Sequence, residues 1–308
     1  MTGDTPPLSA TPAAFTRSLK DRIRNEATQR GRTTDQLRRE FFLQRFLARV
    51  FTTPQSRTRW LLKGGASLLV RTPDARFSQD IDLLHTTAAV TDAIAELVEI
   101  GHHPSALDPF RFVFDPPRLM TGGVTGASIK VTVYLGATQV ADFPIDLSTE
   151  LTPVGDVDYR TPRPVITMDE LAPMPDFALY PLPQQVSDKL CAMYERYGDT
   201  RQPSTRFHDL VDLTLIITTW ALDAATTHTA LHSESTRRAL TLPTTVTTPA
   251  PTWDTGYRKI ARTVPGLPTD AHHITGALHI VGTCLNPLLA GDRTTGTWNP
   301  ENRSWTLR

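Results

Sequence analysis

The sequence is poor in cysteine, has no excess of either charge and contains no long hydrophobic run. Two cysteines among 308 residues exclude a disulfide framework. The 32 basic residues balance the 32 acidic residues, so any nucleic-acid site must be a local patch rather than a property of the whole chain. The apolar stretch at 274–290 is broken by polar residues and proline, and it is shorter than the roughly 20 residues that a membrane-crossing helix needs.

The N-terminal residues also lack the basic and then apolar pattern of a secretory signal. We therefore expect a cytoplasmic protein with no membrane partner. A hydrophobic content of 39% and a charged content of 21% are ordinary for a globular chain, and the length allows one large domain or two of medium size. Lysine is rare, which makes each one worth inspecting: Lys20, Lys63, Lys130, Lys189 and Lys259.

The first half of the chain has an α/β pattern behind a helical entry segment. Apolar residues at three- and four-residue spacings predict one or two amphipathic helices over residues 15–51. A short strand, a glycine turn and a short helix follow at 59–70, and another helix is predicted at 88–100. Alternating polar and apolar residues predict the further strands, some of them antiparallel, at 80–84, 110–114, 127–135 and 139–147.

The second half is mainly helical. Proline recurs over 151–183, which predicts a connection, and helical periodicity then appears at 183–197, 206–222, 226–240 and 269–290. We therefore expect an α/β (α+β) protein with two lobes, a mixed sheet with flanking helices and a mainly helical C-terminal lobe, with the active site in the cleft. The predicted parts are a helical segment at 1–54, a core at 55–150 and the C-terminal lobe at 151–308.

Two adjacent glycines and two spaced aspartates form the first candidate site. A turn at Gly64 and Gly65 lets the backbone approach phosphate oxygens, and the N–H groups of the helix that follows favour an anion. Asp80 and Asp82 stand two residues apart on a predicted strand, so both carboxylates point to one side. Alone, the glycines are more often a simple turn and the aspartates a strand end. In this order they indicate a nucleotide site with Mg²⁺, or with Mn²⁺ in its place.

A third carboxylate is expected from the neighbouring predicted strand. Asp146 stands between the apolar residues Ile145 and Leu147, so it points to the opposite side of its strand from them. We expect Asp146 to be a metal ligand or the base that helps a hydroxyl attack a phosphorus atom.

The C-terminal half contributes a lysine and a carboxylate in apolar surroundings. Lys189 falls in the apolar stripe of its predicted helix, which indicates either an anionic partner or a snorkelling side chain. Asp212 lies among leucine, valine and isoleucine residues, so it needs a partner, with Lys189 or Arg206 the candidates. For Asp209 and Asp212, an ion pair that locks two helices and a direct catalytic role both stay open.

These motifs carry a family resemblance. Residues 63–68 (KGGASL) followed by 76–83 (RFSQDIDL) resemble the signature of the DNA polymerase β-like nucleotidyltransferases, and more narrowly the AbiEii/MenT-type toxins of bacterial toxin–antitoxin systems. Residues 184–192 (QQVSDKLCA) and 206–213 (RFHDLVDL) are similar to the motifs of that family's second lobe. The resemblance spans roughly residues 61–215.

The resemblance implies a toxin that transfers nucleotides from an NTP to the 3′ acceptor end of tRNA, which blocks aminoacylation and translation, and that a cognate antitoxin restrains. Other acceptors, a protein or a small molecule, and a non-catalytic regulator remain alternatives. From the residues and the resemblance together, we expect catalytic roles for Asp80, Lys189, Asp146 and Asp212, metal binding by Asp80, Asp82 and Asp146, and NTP binding by Lys63, Gly64, Gly65, Ser78, Lys189 and Arg238.

Two further expectations concern phosphate. Ser78 stands two residues before Asp80, and its phosphorylation would place negative charge beside the metal site and block triphosphate entry.

Arginines enrich the first 60 residues, where a solvated helix face and a surface that contacts RNA are equally compatible with the pattern.

Overall fold

The computed structural model describes residues 11–103, 105–120 and 125–306. The described chain divides into two compact units. Residues 11–73, 77–152 and 157–179 belong to the first unit, and residues 74–76, 153–156 and 180–306 belong to the second.

The first unit is built on a mixed sheet, as predicted. Within the described residues the sheet has eight strands: β1 (Trp60–Lys63), β2 (Ile81–His85), β3 (Phe110–Phe114), β4 (Arg118–Leu119), β5 (Gly126–Leu135), β6 (Thr138–Ser148), β7 (Asp158–Arg160) and β8 (Phe177–Leu179). Their order in the sheet is β3-β5-β6-β2-β1-β8-β7, with β4 paired to β5. Strand β2 is parallel to β6 and β1 is parallel to β8, while the other pairs are antiparallel.

Helices of the same unit flank this sheet. The predicted helical segment forms two helices because the chain turns at Gly31, whose φ is +61°. Thr33 and Gln36 form a capping box at the start of the second helix, and Phe42 packs edge to face on Phe110 with ring centroids 5.1 Å apart. The helices are α1 (Pro12–Gln29), α2 (Thr34–Val50), α3 (Pro54–Arg59), α4 (Gly64–Arg71) and α5 (Val90–His102).

The segment predicted as a connection contributes to the sheet. Strands β7 and β8 come from residues 151–179, so the first unit extends to Leu179, beyond the predicted core boundary at residue 150. Phe177, Ala178 and Leu179 are all fully buried, and Leu179 pairs with Leu62 of β1. A strand buried on both faces shows no polar and apolar alternation, which is why the periodicity did not reveal it.

The second unit is mainly helical, as predicted. Its elements are α6 (Leu182–Tyr194), β9 (Arg196–Tyr197), β10 (Gln202–Pro203), α7 (Phe207–Thr219), β11 (Leu222–Asp223), α8 (Ala224–Arg237), α9 (Trp253–Ala261), α10 (Ile274–Leu289), β12 (Thr297–Asn299) and β13 (Ser304–Thr306). The four longest helices correspond to the predicted ones, and a 3₁₀ turn at Thr269–His272 precedes α10. Helix α9 and the short strands were not predicted.

Tryptophan side chains hold the unpredicted elements in place. The indole N–H of Trp253, in α9, donates to the carbonyl oxygen of Ser204 at 2.7 Å. The indole N–H of Trp298, in β12, donates to the carbonyl oxygen of Ile217 at 2.8 Å. Both side chains are fully buried, so each contributes apolar area and a satisfied hydrogen bond.

Both cysteines are buried and lie in helices of the second unit. Burial raises the pKa of Cys191 to about 12 and raises the pKa of Cys284 well above its usual value. Both thiols are therefore protonated at neutral pH. Among the residues that the structure describes, no helix combines the length and the apolarity of a membrane span.

A buried charge network links α2 to the chain before β3. The carboxylate of Asp108 accepts hydrogen bonds from Arg49 at 2.6 and 3.3 Å and from the N–H of Phe110 at 3.0 Å. Arg45 adds a longer ion pair at 3.8 Å. All three charged side chains are at most 3% exposed, so each depends on the others for its missing solvation.

We expect Asp108→Asn to destabilise the protein by about 3 to 5 kcal/mol, because two buried guanidinium groups would lose their carboxylate. Urea unfolding followed by circular dichroism measures this change. Asp115→Asn, at an exposed position in the same unit, is the control and should change the free energy of unfolding by less than about 0.5 kcal/mol. Equal midpoints for the two variants would contradict the role given to Asp108.

Candidate active site

The glycine turn lies directly against one of the predicted metal ligands. Strand β1 ends at Lys63 and α4 begins at Gly64, whose φ is +62°. A Cβ atom on Gly64 would stand 1.7 Å from Oδ2 of Asp82 and 2.6 Å from its Cγ. The position therefore requires glycine for two reasons: the backbone conformation and the space that the Asp82 carboxylate occupies.

Sheet register places two of the predicted carboxylates side by side. Asp82 of β2 is the direct partner of Asp146 on the parallel strand β6, and on its other side it is paired with Lys63 of β1. Neighbouring strands lie about 4.8 Å apart, and paired residues point to the same face. Asp82 and Asp146 are both half-buried, while their strand neighbours Ile81 and Ile145 are fully buried.

Asp80 and Ser78 lie just before strand β2, which begins at Ile81, one residue later than predicted. The hydroxyl of Ser78 donates to Oδ1 of Asp80 at 2.9 Å, and it also lies 3.3 Å from the Asp80 carbonyl oxygen. The Ser78 side chain therefore positions the Asp80 carboxylate. Ser78 is 1% exposed, so a phosphorylating enzyme would reach its hydroxyl only after this segment moves.

The donor set fits a hard divalent cation, although it does not form a complete cage. In the part of the chain that the structure describes, no three histidine, cysteine, aspartate or glutamate side chains stand together as metal ligands. Metal binding by Asp80, Asp82 and Asp146 together stays a prediction. Two adjacent carboxylates still match Mg²⁺, which proteins commonly hold through one or two carboxylates together with substrate phosphates.

The second unit contains a buried ion cluster around Lys189. The Lys189 ammonium, 6% exposed, lies 2.5 Å from Oδ2 of Asp212 and 3.3 Å from Oδ1 of Asp209. Arg76 donates two hydrogen bonds of 2.9 Å to Asp212, and Arg206 donates one of 2.5 Å to Asp209. Asp212 thus has the predicted partner Lys189, whereas Arg206 binds Asp209 instead.

The cluster keeps both carboxylates ionised. Burial alone would raise the pKa of Asp212, but the charges and hydrogen bonds of Lys189 and Arg76 outweigh it and lower this pKa to about 2. Burial opposes ionisation of Asp209 too, and Lys189 and Arg206 hold the pKa of that carboxyl below its ordinary value. Both carboxylates are completely buried, so the cluster links α6 to α7 through charges that water does not screen.

Arg76 is a site residue that sequence reasoning left without a role. The segment 74–76 belongs to the second unit, where the Arg76 guanidinium holds Asp212. Its place in the motif at residues 76–83 was the available signal, but nothing in the spacing shows that a residue 136 positions later is its partner.

Arg238 is engaged in ion pairs. Its guanidinium donates to Oε1 of Glu234 at 2.5 Å and to Oε2 of Glu195 at 2.7 Å, and its side chain is 19% exposed. Arg237 shares Glu234. Phosphate binding by Arg238 stays a prediction, and the contacts present give the side chain a structural role.

Comparison with known proteins decides the family. The model of the nucleotidyl transferase AbiEii toxin family, of type IV toxin–antitoxin systems, matches residues 45–278. The chain belongs to the AbiEii toxin family. The match confirms the family resemblance that the motifs of this AbiEii nucleotidyltransferase indicated. A sequence comparison with curated proteins finds no match.

One solved structure shows the same fold. The MenT4 nucleotidyltransferase toxin from Mycobacterium tuberculosis H37Rv matches 85% of the AbiEii chain and 98% of its own, at 14% identity and a TM-score of 0.52. A protein from H. pylori described as a nucleotidyltransferase matches 85% and 99% of the two chains, at 12% identity and a TM-score of 0.40. The likeness to MenT4 confirms the predicted nucleotidyltransferase fold.

We expect Gly64→Ala to reduce nucleotidyl transfer by about 100-fold, because the new methyl group would displace the Asp82 carboxylate by an ångström or more. Initial rates of label incorporation measure the loss. Gly136→Ala is a matched control, since Gly136 has a φ of +58° but no heavy atom within 4 Å of the place that a Cβ would take. Each variant should lose about 1 to 2 kcal/mol of stability from its backbone conformation. Equal activity in the two variants would contradict the steric argument.

Acid should weaken the fold through Asp212. A carboxyl with a lowered pKa in the folded protein stabilises it fully above the unfolded value of about 3.9 and loses that contribution as the pH falls through the folded value. With a folded pKa of about 2, Asp212 contributes about 2 kcal/mol that disappears between about pH 4 and pH 2. We expect Asp212→Asn to lower stability at neutral pH and to show a shallower loss over this window.

Urea titrations at several pH values measure both effects. Asp254→Asn, in an exposed pair with Arg258, is the control and should cost less than about 1 kcal/mol. An Asp212→Asn variant with the same pH dependence as the natural protein would show that the ion cluster does not govern acid stability.

Proposed function

We propose that this AbiEii toxin transfers a nucleotide from an NTP to the 3′ acceptor end of tRNA in a reaction that depends on Mg²⁺ and releases pyrophosphate. The modified tRNA can no longer be aminoacylated, and translation stops. The observation that carries the proposal is the contact of the Gly64 turn with Asp82, which has Asp146 beside it.

The first unit supplies the groups that such a transfer needs. The backbone turn at Gly64 and Gly65, with the first N–H groups of α4, binds triphosphate oxygens. Asp82 and Asp146, with Asp80 as the third ligand, would hold Mg²⁺, which would neutralise charge on the phosphates. Mn²⁺ has the same preference for oxygen ligands. The Ser78 hydroxyl keeps the Asp80 carboxylate oriented.

The transfer step is an in-line displacement at the α-phosphorus. The acceptor hydroxyl loses its proton to the Asp146 carboxylate while its oxygen forms the new bond to phosphorus. The bond to the bridging oxygen breaks, and pyrophosphate leaves. Lys63 and Lys189 are assigned to the triphosphate, where an ammonium group stabilises developing negative charge, and Asp212 is assigned to hold Lys189.

A local basic surface supports RNA as the acceptor. Arg17, Lys20 and Arg24 stand at i, i+3 and i+7 on α1, all exposed, so they occupy one face of that helix over about 10 Å. Exposed cations at this spacing suit a phosphate backbone. The family also implies an antitoxin partner, and a protein that acts on tRNA would work in the cytoplasm.

The test is incubation of purified protein with total bacterial tRNA, Mg²⁺ and each of the four labelled NTPs separately. We expect label on tRNA with one or two NTPs, and a loss of at least about 100-fold in Asp80→Asn. Asp142→Asn is the matched control, because Asp142 lies on β6 in a surface ion pair with Lys130 and should not affect transfer.

Chelation by EDTA should abolish the incorporation, and added Mg²⁺ should restore it. Label on protein or on a small molecule instead of tRNA would overturn the proposed acceptor while keeping the chemistry. Absence of label on any acceptor, together with retained NTP binding, would favour a non-catalytic regulator.

A further inference from the structure

A small hairpin follows the helix that carries Lys189. Its strands are β9 and β10, in which Tyr197 is paired with Gln202, and a four-residue turn at 198–201 connects them. Tyr197 is 43% exposed, which makes it one of the few large hydrophobic side chains open to solvent in the described chain. An aromatic ring held at the surface of a short hairpin contributes little to a core and therefore calls for another explanation.

The ring is held in place from one side. The Tyr197 hydroxyl donates to Oε2 of Glu195 at 3.0 Å, and the same oxygen accepts a hydrogen bond of 2.7 Å from Arg238. Arg238 is fixed in turn by Glu234 at 2.5 Å. This series of contacts restricts the ring before any ligand arrives, which lowers the entropic cost of stacking against it. It also gives Arg238 a function that does not require phosphate.

Three arginines lie in the hairpin and just after it. Arg196 and Arg201 are both exposed, and the Arg196 guanidinium donates to the Arg201 carbonyl oxygen at 3.2 Å across the hairpin. Arg206 follows the hairpin with 46% of its side chain exposed, and its charge acts on the Tyr197 hydroxyl. Arg206 also binds Asp209, the partner of Lys189, so the hairpin base joins the ion cluster directly.

We propose that Tyr197 stacks on an unpaired base of the RNA acceptor, with Arg201 and Arg206 contacting the phosphates on either side of that base. The inference rests on the proposed function, in which the acceptor is RNA. It assigns the hairpin 196–203 as a contact for a single-stranded segment of that RNA.

The chemistry favours a single strand over a double helix. A flat ring with one open face binds a base whose own face is open, and base pairing and stacking hide that face inside a duplex. Stacking on an aromatic ring is also tolerant of sequence, because every base has such a face. The guanidinium groups of Arg201 and Arg206 add electrostatic attraction to phosphate.

Binding of a fluorescein-labelled single-stranded oligoribonucleotide of about eight nucleotides tests the proposal by fluorescence anisotropy. We expect Tyr197→Ala to weaken binding about tenfold, and Tyr197→Phe, which keeps the ring, to weaken it less than about threefold. Tyr159→Ala is the matched control, since Tyr159 is 51% exposed on β7 and should leave affinity unchanged. Arg201→Gln should reduce the salt dependence of binding by roughly 0.7 in the log-log slope.

NTP binding is measured on the same variants in the absence of RNA. We expect Tyr197→Ala to bind NTP as the natural protein does, and an equal loss of NTP and RNA affinity would place the ring at the donor instead. A Tyr197→Ala variant that binds RNA as tightly as the natural protein does would overturn the inference and leave the proposed function intact. Natural protein that binds no RNA, but labels another acceptor, would overturn both.

Discussion

The contact between the Gly64 backbone and the Asp82 carboxylate is the constraint on which the candidate site depends. It brings a helix N-terminus, where N–H groups face outward, next to a carboxylate that suits a cation. An anion and a cation can therefore bind next to each other, as a metal-bound triphosphate requires. Any side chain at residue 64 would separate the two, and the positive φ at that residue adds to the constraint.

The second unit depends on the neutralisation of two buried carboxylates. Asp209 and Asp212 are completely buried, and such carboxylates are tolerated only with close cationic partners. Lys189 contacts both of them, while Arg76 and Arg206 each bind one. A lysine held by two carboxylates has a restricted position. The ion pairs that join α6 to α7 match one of the two interpretations of Asp209 and Asp212, and a direct catalytic role stays a prediction.

Much of this could be predicted because local pattern and tertiary environment agree. Alternation around Asp82 and Asp146 reveals which side of each strand is buried, so the common face of the two carboxylates is readable from the sequence. The glycine pair likewise predicts its turn from the local sequence alone. The start of β2 was placed one residue too early, because alternation continues to Asp80 although the strand pairing begins at Ile81.

Features that depend on residues distant in the chain could not be predicted from the sequence. Strand β8 has no alternation, and its assignment depends on a parallel neighbour that is more than 100 residues away in the chain. The same holds for Arg76, whose partner is known only once α7 is in place, and for the carboxylate partners of Arg238. The register of β2 and β6 pairs Asp82 with Asp146, and metal binding by these two carboxylates together with Asp80 stays a prediction.

The burial of both cysteines has a practical consequence for solution studies. Because Cys191 and Cys284 are inaccessible and their thiols stay protonated, maleimide and disulfide reagents will not modify the folded protein appreciably. A single cysteine introduced at an exposed position therefore becomes the one reactive thiol without any prior removal of natural ones. Fluorophores or spin labels can thus be attached at chosen points to follow distances while nucleotide, RNA or antitoxin is added.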